Sequence, residues 1–147
     1  MNTVRWVVAT SAIAVAALPV TACRKSPPPP PPQATVTITS PTAGDTIRGS
    51  AVHVTLAVSG IELAPVAEQR PGTAHHHLLL DVDATPGDAP IPAGDPRIVH
   101  LGKAQTAFHW DSVAPGQHRI IAVLGDPGHV PLKPLVADTV TFVVVAP

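Results

Sequence analysis

The sequence predicts an all-β domain built as a two-sheet sandwich, and three observations carry that prediction. Apolar residues recur with period two in several short segments, proline- and glycine-rich turns separate those segments, and nothing beyond the first 22 residues shows a helical period. About seven short strands joined in this way argue for a sandwich of immunoglobulin or fibronectin type.

The strands follow in order. Ala34-Thr35-Val36-Thr37-Ile38-Thr39 alternates, and residues 41–45 supply a turn. Val52, Val54, Leu56 and Val58 share one face of a second strand, with His53 and Thr55 on the other. A proline- and glycine-bearing connection over residues 60–73 leads to a third strand, His75-His76-His77-Leu78-Leu79-Leu80. Residues 84–96 contain four prolines and two glycines and read as loop. Short strands are expected at 98–103 and 105–113. Pro115-Gly116 then turns into a strand at 119–124, and residues 136–145 close the domain. With few aromatic residues, the core falls to Val, Leu and Ile with Phe108, Trp110 and Phe142.

The chain divides into three parts: a signal peptide at 1–22, a proline-rich linker at 23–33, and the sandwich at 34–147. Arg5 gives the leader its positive start, residues 6–20 are apolar, and Val20-Thr21-Ala22 ends in small residues. A permanent membrane span is the competing reading, but the apolar stretch is short for one and holds Thr10, Ser11 and Pro19. Val20-Thr21-Ala22-Cys23 resembles the lipobox of bacterial lipoproteins, which implies cleavage before Cys23 and lipidation of its sulfur. Plain secretion with a free thiol is the alternative. Cys23 is the only cysteine, so no internal disulfide competes for it. Acyl chains on Cys23 would anchor the protein to a membrane. In a diderm bacterium the usual lipoprotein sorting pattern, with Arg24 after the cysteine, implies the outer membrane, facing the periplasm. Pro27 to Pro32 form a stiff polyproline spacer, or else a ligand for an aromatic groove.

Removing Arg5 with the leader leaves eight basic residues against ten acidic ones, a net charge of −2. Without a basic patch, nucleic acid is not an expected partner.

All eight histidines lie beyond residue 50, and three of them, His75, His76 and His77, are consecutive. Alternation sends His75 and His77 to one face with Leu79, and His76 to the other with Leu78 and Leu80. His76 therefore reads as a hydrogen-bonded structural histidine at the core edge. Residues i and i+2 on a strand lie roughly 6.6 Å apart, close enough for two imidazoles to converge on one ion. If the histidine strand is third in the sandwich and the strand beginning near His118 is sixth, the two pair antiparallel. His75 and His77 then meet Asp126 and the loop carrying His129. At the opposite end His118 neighbours Asp81 and Asp83. The candidate metal ligands are thus His75, His77 and His129, with His100 and Asp126 as further candidates. Hydrogen-bonding or partner-facing roles are the alternative for each. His118 also follows a Pro-Gly turn, where sandwiches place a residue that bonds back to the backbone. His53 and His109 read as solvent-facing.

Five spaced segments resemble the DUF4399 family of bacterial domains, whose function is unknown. They are His75-His76-His77-Leu78-Leu79-Leu80-Asp81, Pro90-Ile91-Pro92, His100-Leu101-Gly102 with Gln105-Thr106, Pro115-Gly116-Gln117-His118, and Leu124-Gly125-Asp126 with His129-Val130-Pro131. Leu132 departs from the polar residue or histidine expected after the last segment.

These features point to a lipid-anchored envelope domain with a His-rich pole binding Cu(II) or Zn(II). The alternative is a metal-free, pH-sensitive interaction module contacting an unknown envelope protein. A three-histidine zinc site can activate water, with Asp126 as base. Yet the chain has no nucleophile motif, phosphate-binding glycine loop or cofactor signature, so catalysis is not expected. Metal binding needs neutral histidines, and is expected to weaken as pH falls through about 6.5.

Overall fold

The computed structural model describes residues 33–85 and 88–147, so the predicted signal peptide, Cys23 and the proline run lie outside the described residues. Nine strands form among the described residues: β1 (Thr35–Ser40), β2 (Thr46–Arg48), β3 (Val52–Ser59), β4 (Glu62–Leu63), β5 (Thr73–Leu80), β6 (Ile98–Leu101), β7 (Ala107–Trp110), β8 (Gly116–Gly125) and β9 (Ala137–Val145). Among the described residues one 3-10 turn, Val66–Glu68, interrupts the β structure. Antiparallel β1, β3 and β7 make the first sheet, and β2-β9-β8-β5 the second, with β4 and β6 both pairing with β5. The β1-β3-β7 and β9-β8-β5 orders reproduce the two strand sets of an immunoglobulin-like sandwich. Seven strands have four residues or more, and β2 and β4 are short additions to the expected set.

Alternation explains the strands that bury one face. In β3, Val52, Val54 and Leu56 point inward while His53, Thr55 and Ala57 face out. In β9, Val140, Phe142 and Val144 do the same. These side chains interlock with Val36, Ile38, Leu78 and Ile120 between the sheets, and Trp110 joins them. Phe142 is almost fully buried, worth roughly 1.5–3 kcal/mol by its removal from water. Phe108 is only partly buried and packs edge-on against Trp110. Leu132 also packs against this core, which accounts for an apolar residue at that position.

The centre of the second sheet obeys a different rule. Every residue of β5 is buried, as are the last six of β8. Such runs require cover on both faces. The core supplies one cover, and the proline loop supplies the other by laying Ile91 against Leu79, Ile121 and Val123 on the outer face. The loop expected from composition is therefore a roof.

At the start of β8, His118 bonds in both directions. Its Nε2 lies 2.8 Å from the Ala114 carbonyl, and its Nδ1 lies 2.7 Å from Asp81 Oδ2. Asp81 Oδ1 accepts the Arg119 N–H at 2.8 Å. Immunoglobulin-like sandwiches place a tyrosine here whose hydroxyl bonds back to the backbone. This chain has no tyrosine, and the histidine takes that part while also tying β8 to the end of β5. Asp83 does not share the contact. β5 ends at Leu80 and Asp81 takes φ +56°, which breaks the alternation, so Asp83 pairs with Arg119 at 2.6 Å. His118→Ala is expected to cost about 0.5–1.5 kcal/mol, the net worth of a hydrogen bond whose partners can turn to water. Urea unfolding checks this, and an unchanged midpoint would exclude a bracing role.

Candidate metal centre

The pleat of β5 sends His75 and His77 to the roofed outer face and turns His76 into the core. There the His76 Nδ1–H donates to the Gln105 carbonyl at 2.9 Å, and the residue is 0% exposed. This is the hydrogen-bonded structural part expected of it. On the outer face, β6 aligns His100 directly with His77. On the other side, β8 aligns Gly125 with His75 and Val123 with His77. The turn after β8 delivers His129: its N–H donates to the Asp126 carbonyl at 2.8 Å, and its φ of +66° swings the chain back. Left-handed backbone in a non-glycine residue is uncommon and costs energy, and it concentrates where geometry serves a site.

Four imidazoles thereby meet. Ring centroids of His75 lie 4.8 Å from those of His77 and His100 and 5.0 Å from that of His129, and His100 and His129 are 4.7 Å apart. One nitrogen from each ring lies within 4.8 Å of all the others. Around one tetrahedral ion, nitrogens at 2.0–2.1 Å would stand about 3.4 Å apart, so modest side-chain rotation closes the set.

His75 and His77 are 1% and 2% exposed, yet His75 Nε2 and His77 Nδ1 have no hydrogen-bond partner. An unpaired buried polar group costs about 1–3 kcal/mol, which coordination would offset. Burial, reinforced by His100 and His129 and opposed by Asp126, lowers the pKa of His75 to about 4. Burial and the neighbouring His75 and His100 lower that of His77 to about 3. Burial and His129 also lower that of His100. At neutral pH these rings therefore hold free lone pairs, the state a metal requires.

Of the candidates read from sequence, His75, His77 and His129 converge and His100 joins them. Asp126 falls outside this group, because its Oδ1 accepts the Val130 N–H at 3.0 Å and braces the turn that presents His129. It acts on His75 through its charge alone. His118 and Asp81 lie at the far end of β5 and β8. On the other sheet, His53 is exposed and lies tilted against half-buried His109, with ring centroids 4.2 Å apart, so only His53 is fully solvent-facing.

Two glycines make room for the rings. A Cβ on Gly102 would lie 2.3 Å from His100 Cε1 and 2.6 Å from its Nε2, and one on Gly125 would lie 3.1 Å from His77 Cε1. The sequence reading missed both, although each belongs to a segment that also holds a histidine of the site. Gly102→Ala is expected to push the exposed His100 ring aside with little loss of fold stability. Metal affinity should drop roughly 10- to 100-fold, as when a ligand's support is disturbed. Competition with a chromophoric zinc chelator, alongside thermal unfolding, tests the pair of expectations; unchanged affinity would exclude His100 as a ligand.

Fold and site together define an immunoglobulin-like β-sandwich with a roofed four-histidine cluster suited to holding a metal ion. The chain belongs to the DUF4399 family, described as a domain of unknown function, which matches residues 54–145. No curated protein matches the chain. Among solved structures it is similar to fibronectin(III)-like modules of Clostridium thermocellum CbhA, at 15% identity over 76% of this chain and 98% of that one, with a TM-score of 0.48. It is also similar to an endo-β-1,4-mannanase from Thermotoga petrophila, at 14% identity, 79% and 20% coverage, and a TM-score of 0.47. A third is the CARDB domain of the PF1109 protein from Pyrococcus furiosus, in complex with di-metal ions, at 16% identity, 79% and 96% coverage, and a TM-score of 0.40.

Proposed function

We propose that this protein is a lipid-anchored cell-envelope domain that binds one divalent transition ion, Cu(II) or Zn(II), through His75, His77, His100 and His129. The observation that carries the reading is the convergence of four imidazole nitrogens, two of them on buried rings with no other partner. An all-imidazole set suits Zn(II), Cu(II) and Ni(II), and the general order of affinity favours Cu(II). Cu(I) would want thiolate or methionine sulfur, and lipidation of Cys23 and loss of Met1 with the leader would leave the mature chain without either. The lipobox-like Val20-Thr21-Ala22-Cys23 supports attachment to the membrane, at the outer membrane facing the periplasm. The role is binding, as in buffering or delivering the ion, with no catalytic step.

The test is calorimetric titration of Cu(II) and Zn(II) into protein prepared without a histidine tag. One equivalent bound tightly is the expected result. No binding, or several weak equivalents, would defeat the reading and favour a metal-free domain contacting another envelope protein.

A further inference from the structure

Beside the cluster lies a cavity of about 470 Å³, within the size range of small-molecule sites and far larger than one water needs. His77, His100 and His129 line it, and His75 does not. The rest of the lining is Pro90, Ile91, Pro92, Ala93, Gly94 and Ile98. These side chains are apolar and carry no charge, and the two prolines have no N–H to offer. This lining is also tied to the cluster: Ile91 is buried, and its N–H donates to the carbonyl of His129 at 2.9 Å. The roof over the sheet and the turn presenting His129 are therefore one unit.

Cu(II) is not confined to four tetrahedral ligands, so a copper ion held by the four rings can accept one more beside His77, His100 and His129, which line this cavity. We propose that the cavity admits a small organic ligand that coordinates the bound Cu(II) as a fifth ligand, a molecule with a single nitrogen donor at one end and a compact apolar body. The ion is the anchor for the donor end, and no acidic, lysine or arginine side chain lines the cavity. Burial of the body against Ile91, Ile98 and the prolines then sets the preference. The proposal rests on metal binding at the four histidines.

The experiment uses the one-to-one Cu(II) complex, with imidazole and 4-phenylimidazole as probes. Visible absorption and electron paramagnetic resonance follow the copper. A saturable spectral change is expected with both, with 4-phenylimidazole binding roughly tenfold or more tighter because its phenyl group leaves water. Ile98→Ala should narrow that ratio while leaving copper stoichiometry unchanged. If that variant folds poorly, the ratio in the unaltered protein still decides. Copper that stays bound with an unchanged spectrum at millimolar probe overturns the ligand site and leaves the metal site standing. Equal affinities overturn the apolar lining, and copper extracted by the probe overturns the ternary complex. Failure to load copper overturns this inference, and failure to load zinc as well removes the metal reading.

Discussion

Acidification from pH 7.5 to 5 is expected to destabilise the metal-free domain by several kcal/mol, and bound Zn(II) is expected to suppress that loss. His75 and His77 have folded-state pKa values of about 4 and about 3, against 6.5 in an unfolded chain. Burial lowers that of His76 as well, against its bond to the Gln105 carbonyl. Between the two sets of values the unfolded chain binds more protons than the folded one. Stability then rises with pH, is complete above about 6.5, and drains as pH falls toward 4. For His75 alone the full shift is on the order of 3 kcal/mol, in a fold of a size that typically has 5–15 in all. Urea midpoints at pH 7.5, 6 and 5 measure the effect. A midpoint that does not move would mean the two rings are not held neutral. Zn(II) at a hundred times its dissociation constant adds about 2.7 kcal/mol and opposes the protons directly. The same lowered values keep His75 and His77 neutral, and so available to an ion, below pH 6.5.

The second large effect is expected from His77→Ala. This ring lies against His75, His100 and His129, at centroid distances of 4.8, 5.1 and 5.8 Å. Its loss removes one ligand and opens the space that orders the other three. Affinity for Zn(II) should fall by more than the roughly 10- to 100-fold that disturbing an outer partner costs. The metal-free variant should also lose part of its acid sensitivity, because one buried group that resists protonation is gone. His53→Ala, an exposed change on the other sheet, should leave affinity unaltered. Chelator competition on the three proteins decides, and a His77→Ala variant that binds like the unaltered chain would remove His77 from the site.

Much of the framework is written in local pattern. Period two marks β1, β3 and β9, and a seven-strand sandwich order brings the start of β5 beside the end of β8, hence His75 and His77 beside His129. The partner of β6 was not legible, because a four-residue strand after a long loop carries no register of its own. That is why His100 stood only as a further candidate. The roof was hidden differently. Ile91 between two prolines looks like loop, and its burial depends on Leu79, Ile121 and Val123, which lie on two separate strands. A signal did exist, since the unbroken apolar run Ile120-Ile121-Ala122-Val123-Leu124 demands cover on both faces. The partner of Asp83 was lost because nothing in the residue pattern announces the left-handed turn at Asp81.

X-ray absorption on the one-to-one Zn(II) complex reads directly whether four imidazoles close on one ion. The predicted result is four nitrogens at about 2.0 Å with the outer-shell scattering of imidazole rings, falling to three histidines in His100→Ala. A shell dominated by oxygen, or one unchanged by that substitution, would contradict the account.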